Sequence, residues 1–172
     1  MPGWHLSERG HHEAHLASLK LADIALDAIY SSPLERAVST AEAISDATGA
    51  PISIDHRLIE WRLGDHWGGI TWESVRVEKR QEFETYMRAP DQIDFIAEDL
   101  GALAERMAEA IAEAVSAHAG GEVAVVSHSD PIKAAVLRMT GRDLSELHQL
   151  SVPTGGVLSL EVGSGGATQV EL

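Results

Sequence analysis

The sequence predicts an α/β fold, a three-layer α/β/α sandwich built on a mostly parallel sheet. Three observations carry this reading. The β-branched run Val123-Ala124-Val125-Val126 stops abruptly at Ser127-His128-Ser129-Asp130, and a helix-like segment from Pro131 to Met139 starts at once, as where a buried strand feeds a helix. Strand-like and helix-like segments alternate along the chain, without repeats or a long linker. The 172 residues are 44% apolar, enough for one domain over residues 1–172 with a real core.

Taken in order, Ser7 to Leu21 reads as a helix weakened by Gly10, and Asp27 to Ser31 as a short strand ending at Ser31-Ser32-Pro33. Leu34 to Thr48 is amphipathic through Leu34, Ala37, Val38, Ala41 and Ile44, and Gly49 closes it. Pro51 to Ile54 is a second strand, Gly64 to Gly69 a glycine-rich loop around Trp67, and Thr71 to Met87 a polar helix. Ile93 to about His118 reads as one long helix with Leu100, Leu103, Met107, Ile111 and Val115 as its buried stripe. After the strand at Val123 and its helix come a helical turn near Leu144 and two strands, Gly156 to Val162 and Ala167 to Leu172. The turn Gly163-Ser164-Gly165-Gly166 makes those two a hairpin, which is expected to give the sheet an antiparallel edge.

Composition narrows the function. There is no cysteine, hence no disulfide, thiolate metal site or cysteine nucleophile. No apolar run reaches membrane-spanning length and no signal-peptide pattern opens the chain, so a cytoplasmic location is expected. The formal net charge of −14 argues against nucleic acid or an anionic membrane as the main partner. A small phosphorylated ligand answers to a few local cations instead. Ligands of open α/β folds bind beyond the carboxyl ends of strands, where Ser127 and His128 stand.

Two further segments join that one. In Ser31-Ser32-Pro33-Leu34-Glu35-Arg36-Ala37, Arg36 falls in the first turn of a helix, against the macrodipole. An anion held jointly by the helix N-terminus and a guanidinium fork explains such a placement. In Leu58-Ile59-Glu60-Trp61-Arg62-Leu63-Gly64, Glu60 precedes the glycine- and tryptophan-containing loop.

Together these segments resemble the histidine phosphatase superfamily, the phosphoglycerate mutase-like family, in order and over nearly the whole chain. Leu6-Ser7-Glu8-Arg9-Gly10 is similar to the L-S-x-x-G start of its first helix, and Ser31 to Ala41 to its S-S-P-L-x-R-A-x-x-T-A signature. Leu58-x-Glu60 with the Gly64–Gly69 loop resembles L-x-E-x-x-x-G-x-W-x-G, and Val126-Ser127-His128 with Ile132 resembles V-S-H-G-x-x-I. The resemblance implies phosphomonoester hydrolysis through a phosphohistidine intermediate, with Arg36 clamping the phosphate and His128 bonding a phosphoryl oxygen. Glu60 would be the general acid for the leaving alkoxide and later the base for water. Ser129 stands where the family has glycine, and there narrows the phosphate pocket or adds a hydroxyl donor. No metal or other cofactor is required. Phosphoryl transfer needs positioning and positive charge more than covalent chemistry, and a positioned acid contributes about 100- to 10,000-fold.

One family motif is absent. The nucleophilic histidine of the family lies in an Arg-His-Gly that ends its first strand, and no Arg-His-Gly occurs in this sequence. Arg9-Gly10-His11-His12 has the wrong order and lies inside a helix. Two explanations stand: the chain is N-terminally truncated relative to the family, with first strand and nucleophile upstream of Met1, or it is a phosphate-binding pseudo-phosphatase. Losing a central strand would expose backbone groups on both neighbours, a cost that favours truncation.

His11, His12 and His15 invite a zinc reading, but His12-Glu13-Ala14-His15 is one residue short of His-Glu-x-x-His, and a solvated helix face is expected. His5, His56, His118 and His148 are expected on the surface or in loops, Arg62 in solvent, and Trp61 and Trp72 in the core or at the pocket rim. Substrate choice would rest on the charged region from Trp72 to Asp94. Its identity, hydrolase versus mutase, and the oligomeric state are not legible.

Overall fold

The computed structural model describes residues 5–63, 67, 69–163 and 166–170. Its centre is a parallel sheet of β1 (Leu26–Ser31), β2 (Ile52–Ile54) and β3 (Glu122–Val126), in the order β2-β1-β3. Ser31 pairs with Ile54 on one side and Val126 on the other, so the carboxyl ends of all three strands lie along one edge. At the opposite end the register of β1 and β3 shifts around Asp27, whose carboxylate accepts from the Glu122 amide at 3.1 Å. A Cβ on Gly121 would lie 1.8 Å from that carboxylate, which explains the glycine.

Residues alternate across the sheet, as the strand period requires. On one face Ile29 and Val126 meet α2 (Glu35–Thr48) through Ala37, Ala41 and Ile44, and α1 (Glu8–Leu21) packs over α2. On the other face Tyr30 and Val125 meet a larger core from α5 (Leu100–Ala117), α6 (Ser129–Met139) and the chain around α3 (Trp72–Glu78) and α4 (Arg80–Arg88). This is the expected α/β/α layering. The helix starts follow sequence chemistry: Ser7 caps α1, Thr71 caps α3 and Asp99 caps α5, each hydroxyl or carboxylate accepting an amide three residues on. Gly49 closes α2 at φ +75°.

Four expectations need correction. The segment 93–99 is not helical, and α5 begins only at Leu100. Asp99 caps it there, and the Glu98 carbonyl is occupied by the Trp61 indole N–H at 2.8 Å. The buried face of α5 is Leu100, Leu103, Ala104, Met107, Ala110 and Ala114, with Ile111 and Val115 only half-buried. The helix expected from Thr71 to Met87 is broken in two at Lys79, at φ −120° and ψ 41°, with no glycine or proline to announce it. Finally, β4 (Ser159–Gly163) and β5 (Gly166–Val170) form the expected antiparallel hairpin, but as a separate two-stranded sheet rather than an edge of the parallel one. Turn chemistry dictates that two strands pair with each other and says nothing of what lies beside them. Among the described residues no helix is long and apolar enough to cross a membrane.

Candidate active site

The strand ends at the shared carboxyl edge are polar and buried. Buried Ser31 ends β1 and buried Ser32 follows it, half-buried Ser127 and buried His128 follow β3, and the Ser32 amide bonds the Val126 carbonyl at 2.9 Å. The Ser127 hydroxyl donates to the Leu58 carbonyl at 2.8 Å, which ties the chain entering Glu60 to the end of β3. Three side chains named from the sequence thereby converge. Arg36 Nη2 lies 3.5 Å from Glu60 Oε2, and the same oxygen lies 3.7 Å from His128 Nδ1.

His128 is held on its other side. Its Nε2 is 2.8 Å from the Ser32 hydroxyl, and that oxygen also faces the Leu34 amide at 3.3 Å. Where the Ser32 hydroxyl donates to Nε2, the imidazole proton stands on Nδ1, towards Glu60. Burial, then the nearby charge of Arg36, push the His128 pKa down to about 3, so the ring is a neutral donor at physiological pH. Glu60 moves the other way. Removal from water raises its carboxyl above the ordinary 4.5, as does the Asp130 charge, while the Trp61 amide, donating to Oε1 at 3.0 Å, and Arg36 oppose the rise. Its side chain is still 40% exposed, so this acid opens to a cleft.

The depressed His128 pKa has a consequence for stability. A folded pKa below the unfolded 6.5 means the contribution is fully present above pH 6.5 and is lost as pH falls towards 3. Between pH 7 and 5, wild type is expected to lose roughly 1–2 kcal/mol more than His128→Gln in denaturant unfolding. Equal pH slopes in the two proteins would contradict the buried neutral ring.

Arg36 sits in the first turn of α2, where Leu34 provides no side-chain cap, and α6 likewise starts after His128 without one. Ser129 opens α6 and is exposed beside the cleft. Two helix N-termini, one guanidinium and one imidazole N–H therefore surround a place suited to an oxyanion. The charges of Arg36 and Arg106 both act on His128, despite the net −14 of the chain.

Other expectations fare unevenly. His11, His12 and His15 are exposed on α1, and among the described residues no three histidine or carboxylate side chains gather as a metal would need. Arg62 and His56 are exposed, as expected. His118 and His148 are not simple surface residues: His118 Nε2 meets the Tyr30 hydroxyl at 3.1 Å, and His148 packs on Tyr86 at 4.5 Å with its Nε2 shielded. Trp61 is in the core, whereas Trp72 is 54% exposed at the rim, edge-on to Trp67. Gly64, Asp65, His66 and Gly68 lie outside the described residues.

Sequence reasoning gave no role to Ser32, to Tyr86 and Asp130, or to Arg106. Ser32 was visible only as part of a strand end. The Tyr86 hydroxyl donates to Asp130 at 2.5 Å across 44 residues, a pairing no local pattern reveals. Arg106 carried a usable signal, a charge three residues after Leu103 on the apolar side of α5.

Residues 2–172 match the family model for the histidine phosphatase superfamily (branch 1). The chain belongs to the histidine phosphatase superfamily. It is 34% identical over 142 residues to phosphoserine phosphatase 1 of Hydrogenobacter thermophilus, covering 82% of this chain and 67% of that one. To the 2,3-bisphosphoglycerate-dependent phosphoglycerate mutase of Thermoplasma acidophilum it is 32% identical over 167 residues, covering 92% of this chain and 76% of that one. Among solved structures, Bacillus stearothermophilus YhfR superposes with a TM-score of 0.88 at 29% identity, covering 98% of this chain and 86% of the other. Membership gives the motif residues a family context.

Proposed function

We propose that this histidine phosphatase-like chain binds small phosphomonoesters and contributes the acid and the phosphate clamp for their hydrolysis. The convergence of Arg36, at 3.5 Å, and His128, at 3.7 Å, on the Glu60 carboxyl at the carboxyl edge of the sheet carries this reading. Arg36 takes two phosphoryl oxygens in a forked contact, while His128 Nδ1–H and the amide of Ser129 take others. A histidine attacks phosphorus, the P–O bond to the alcohol breaks, and Glu60 gives its proton to the departing alkoxide. Glu60, now ionised, takes a proton from water as that water attacks the phosphohistidine, releasing phosphate and restoring the acid. No Arg-His-Gly lies in the 172 residues, and the attacking histidine is proposed to come from a segment preceding them. The similarity to a phosphoserine phosphatase and to a phosphoglycerate mutase supports phosphomonoester chemistry without naming the alcohol.

A protein carrying such an N-terminal segment is expected to hydrolyse p-nitrophenyl phosphate, and His128→Ala to reduce turnover about 100- to 1,000-fold. Unchanged turnover in that variant removes His128 from the mechanism. The second reading, a phosphate-binding pseudo-phosphatase, is favoured instead if phosphate raises the melting temperature but no form turns over substrate.

A further inference from the structure

Glu60 stands on a stretch with no regular secondary structure, so no helix or ladder fixes its carboxyl. A buried ion pair behind it supplies the missing constraint. Arg106 of α5 grips Glu98 with two parallel bonds, Nε to Oε1 at 2.5 Å and Nη2 to Oε2 at 2.9 Å. The two side chains are 12% and 9% exposed. Neither partner stops at the other. Arg106 also donates to the carbonyl of Arg57 and, at 3.3 Å, to the carbonyl of Glu60 itself. Glu98 accepts the Arg62 amide at 3.2 Å through its carboxylate and the Trp61 indole N–H at 2.8 Å through its backbone carbonyl. The segment from Arg57 to Arg62 is thus held before, at and after Glu60.

We infer that Glu98 and Arg106 form a positioning clamp that aims the Glu60 carboxyl at the cleft, a role that rests on Glu60 being the proton donor. Packing alone does not require so polar a device, since a buried ion pair is often no more stabilising than apolar residues of the same volume. What the pair supplies is direction. A single planar guanidinium fork meets two carbonyls and a carboxylate, fixing the turn from which Glu60 projects. The Trp61 amide, at 3.0 Å from Glu60 Oε1, is the direct witness of that aim. The carboxyl is otherwise faced by Arg36 from α2, by His128 and Asp130 at the start of α6, and by Tyr86 from α4, and none of these touches the Glu60 backbone among the contacts described.

The test is a pH titration of the 15N-labelled 172-residue protein followed at the Trp61 backbone amide. In wild type that amide is expected to shift with Glu60 ionisation, at a midpoint above the ordinary 4.5, and the transition is expected to vanish in Glu60→Gln. In Arg106→Lys and in Glu98→Gln its amplitude is expected to fall by at least half while the remaining spectrum stays folded. In the hydrolytically competent form, kcat is expected to fall by roughly 10- to 100-fold with KM little changed. The wild-type transition persisting in both clamp variants, or in Glu60→Gln, would overturn the inference. Failure of the proposed hydrolysis is distinguishable, because turnover would then be absent while the amide titration followed the expected pattern.

Discussion

Arg36→Ala is expected to abolish stabilisation by inorganic phosphate and to lower kcat/KM by about 100- to 1,000-fold while leaving the fold intact. A cation in the first turn of α2 opposes the helix dipole, so its removal costs the free protein little and can even stabilise it by a few tenths of a kcal/mol. Its contact with Glu60 is a partly exposed pair at 3.5 Å, worth about 0–1 kcal/mol. The residue is therefore expected to contribute little to stability and much to ligand binding. Thermal melts with and without phosphate, read beside turnover, separate the two. An Arg36→Ala protein that still gains stability from phosphate would remove the clamp from the account.

Glu60→Gln is expected to lower turnover of an alkyl phosphate by about 100- to 10,000-fold, the range of a positioned acid. Its effect on kcat/KM for p-nitrophenyl phosphate, which reports the first step alone, is expected to be much smaller, because p-nitrophenolate is a weak base and departs without a proton. Glutamine keeps the shape and can still accept from the Trp61 amide, so the comparison isolates the proton. The pH profile provides a second check. Burial raises the Glu60 carboxyl above its ordinary value, so the acid form persists to higher pH and activity should decline as pH rises through the shifted pKa. In the glutamine variant that alkaline limb should be gone. Equal losses on both substrates, with the limb retained, would assign Glu60 a structural role instead.

Much of this site was legible because its parts lie in short contiguous motifs at element boundaries. Ser31 to Ala37 encodes a strand end, a helix start and Arg36 in one run, and Val126 to Asp130 does the same for His128. The order of helices and strands followed from hydrophobic period and turn residues. What escaped depends on contacts distant in sequence. Nothing near Glu98 shows that its backbone carbonyl is engaged by Trp61, so the long helix seemed to start early. Lys79 breaks a helix with no glycine or proline to mark it. The separation of the hairpin from the parallel sheet is a matter of spatial neighbours, which turn chemistry does not encode. Ser32 orients His128 across 96 residues, and Arg106 steadies Glu60 across 46, so each partnership becomes visible only once the chain is folded, even though the charge of Arg106 on the apolar side of α5 was itself a signal.

The most direct test of the central claim is to locate a bound oxyanion by crystallography of the protein soaked with tungstate. The account predicts it at the carboxyl edge of the parallel sheet, with its oxygens ~3 Å from the Arg36 guanidinium, His128 Nδ1 and the amide of Ser129. An oxyanion bound elsewhere, with Arg36 and His128 untouched, would contradict the account.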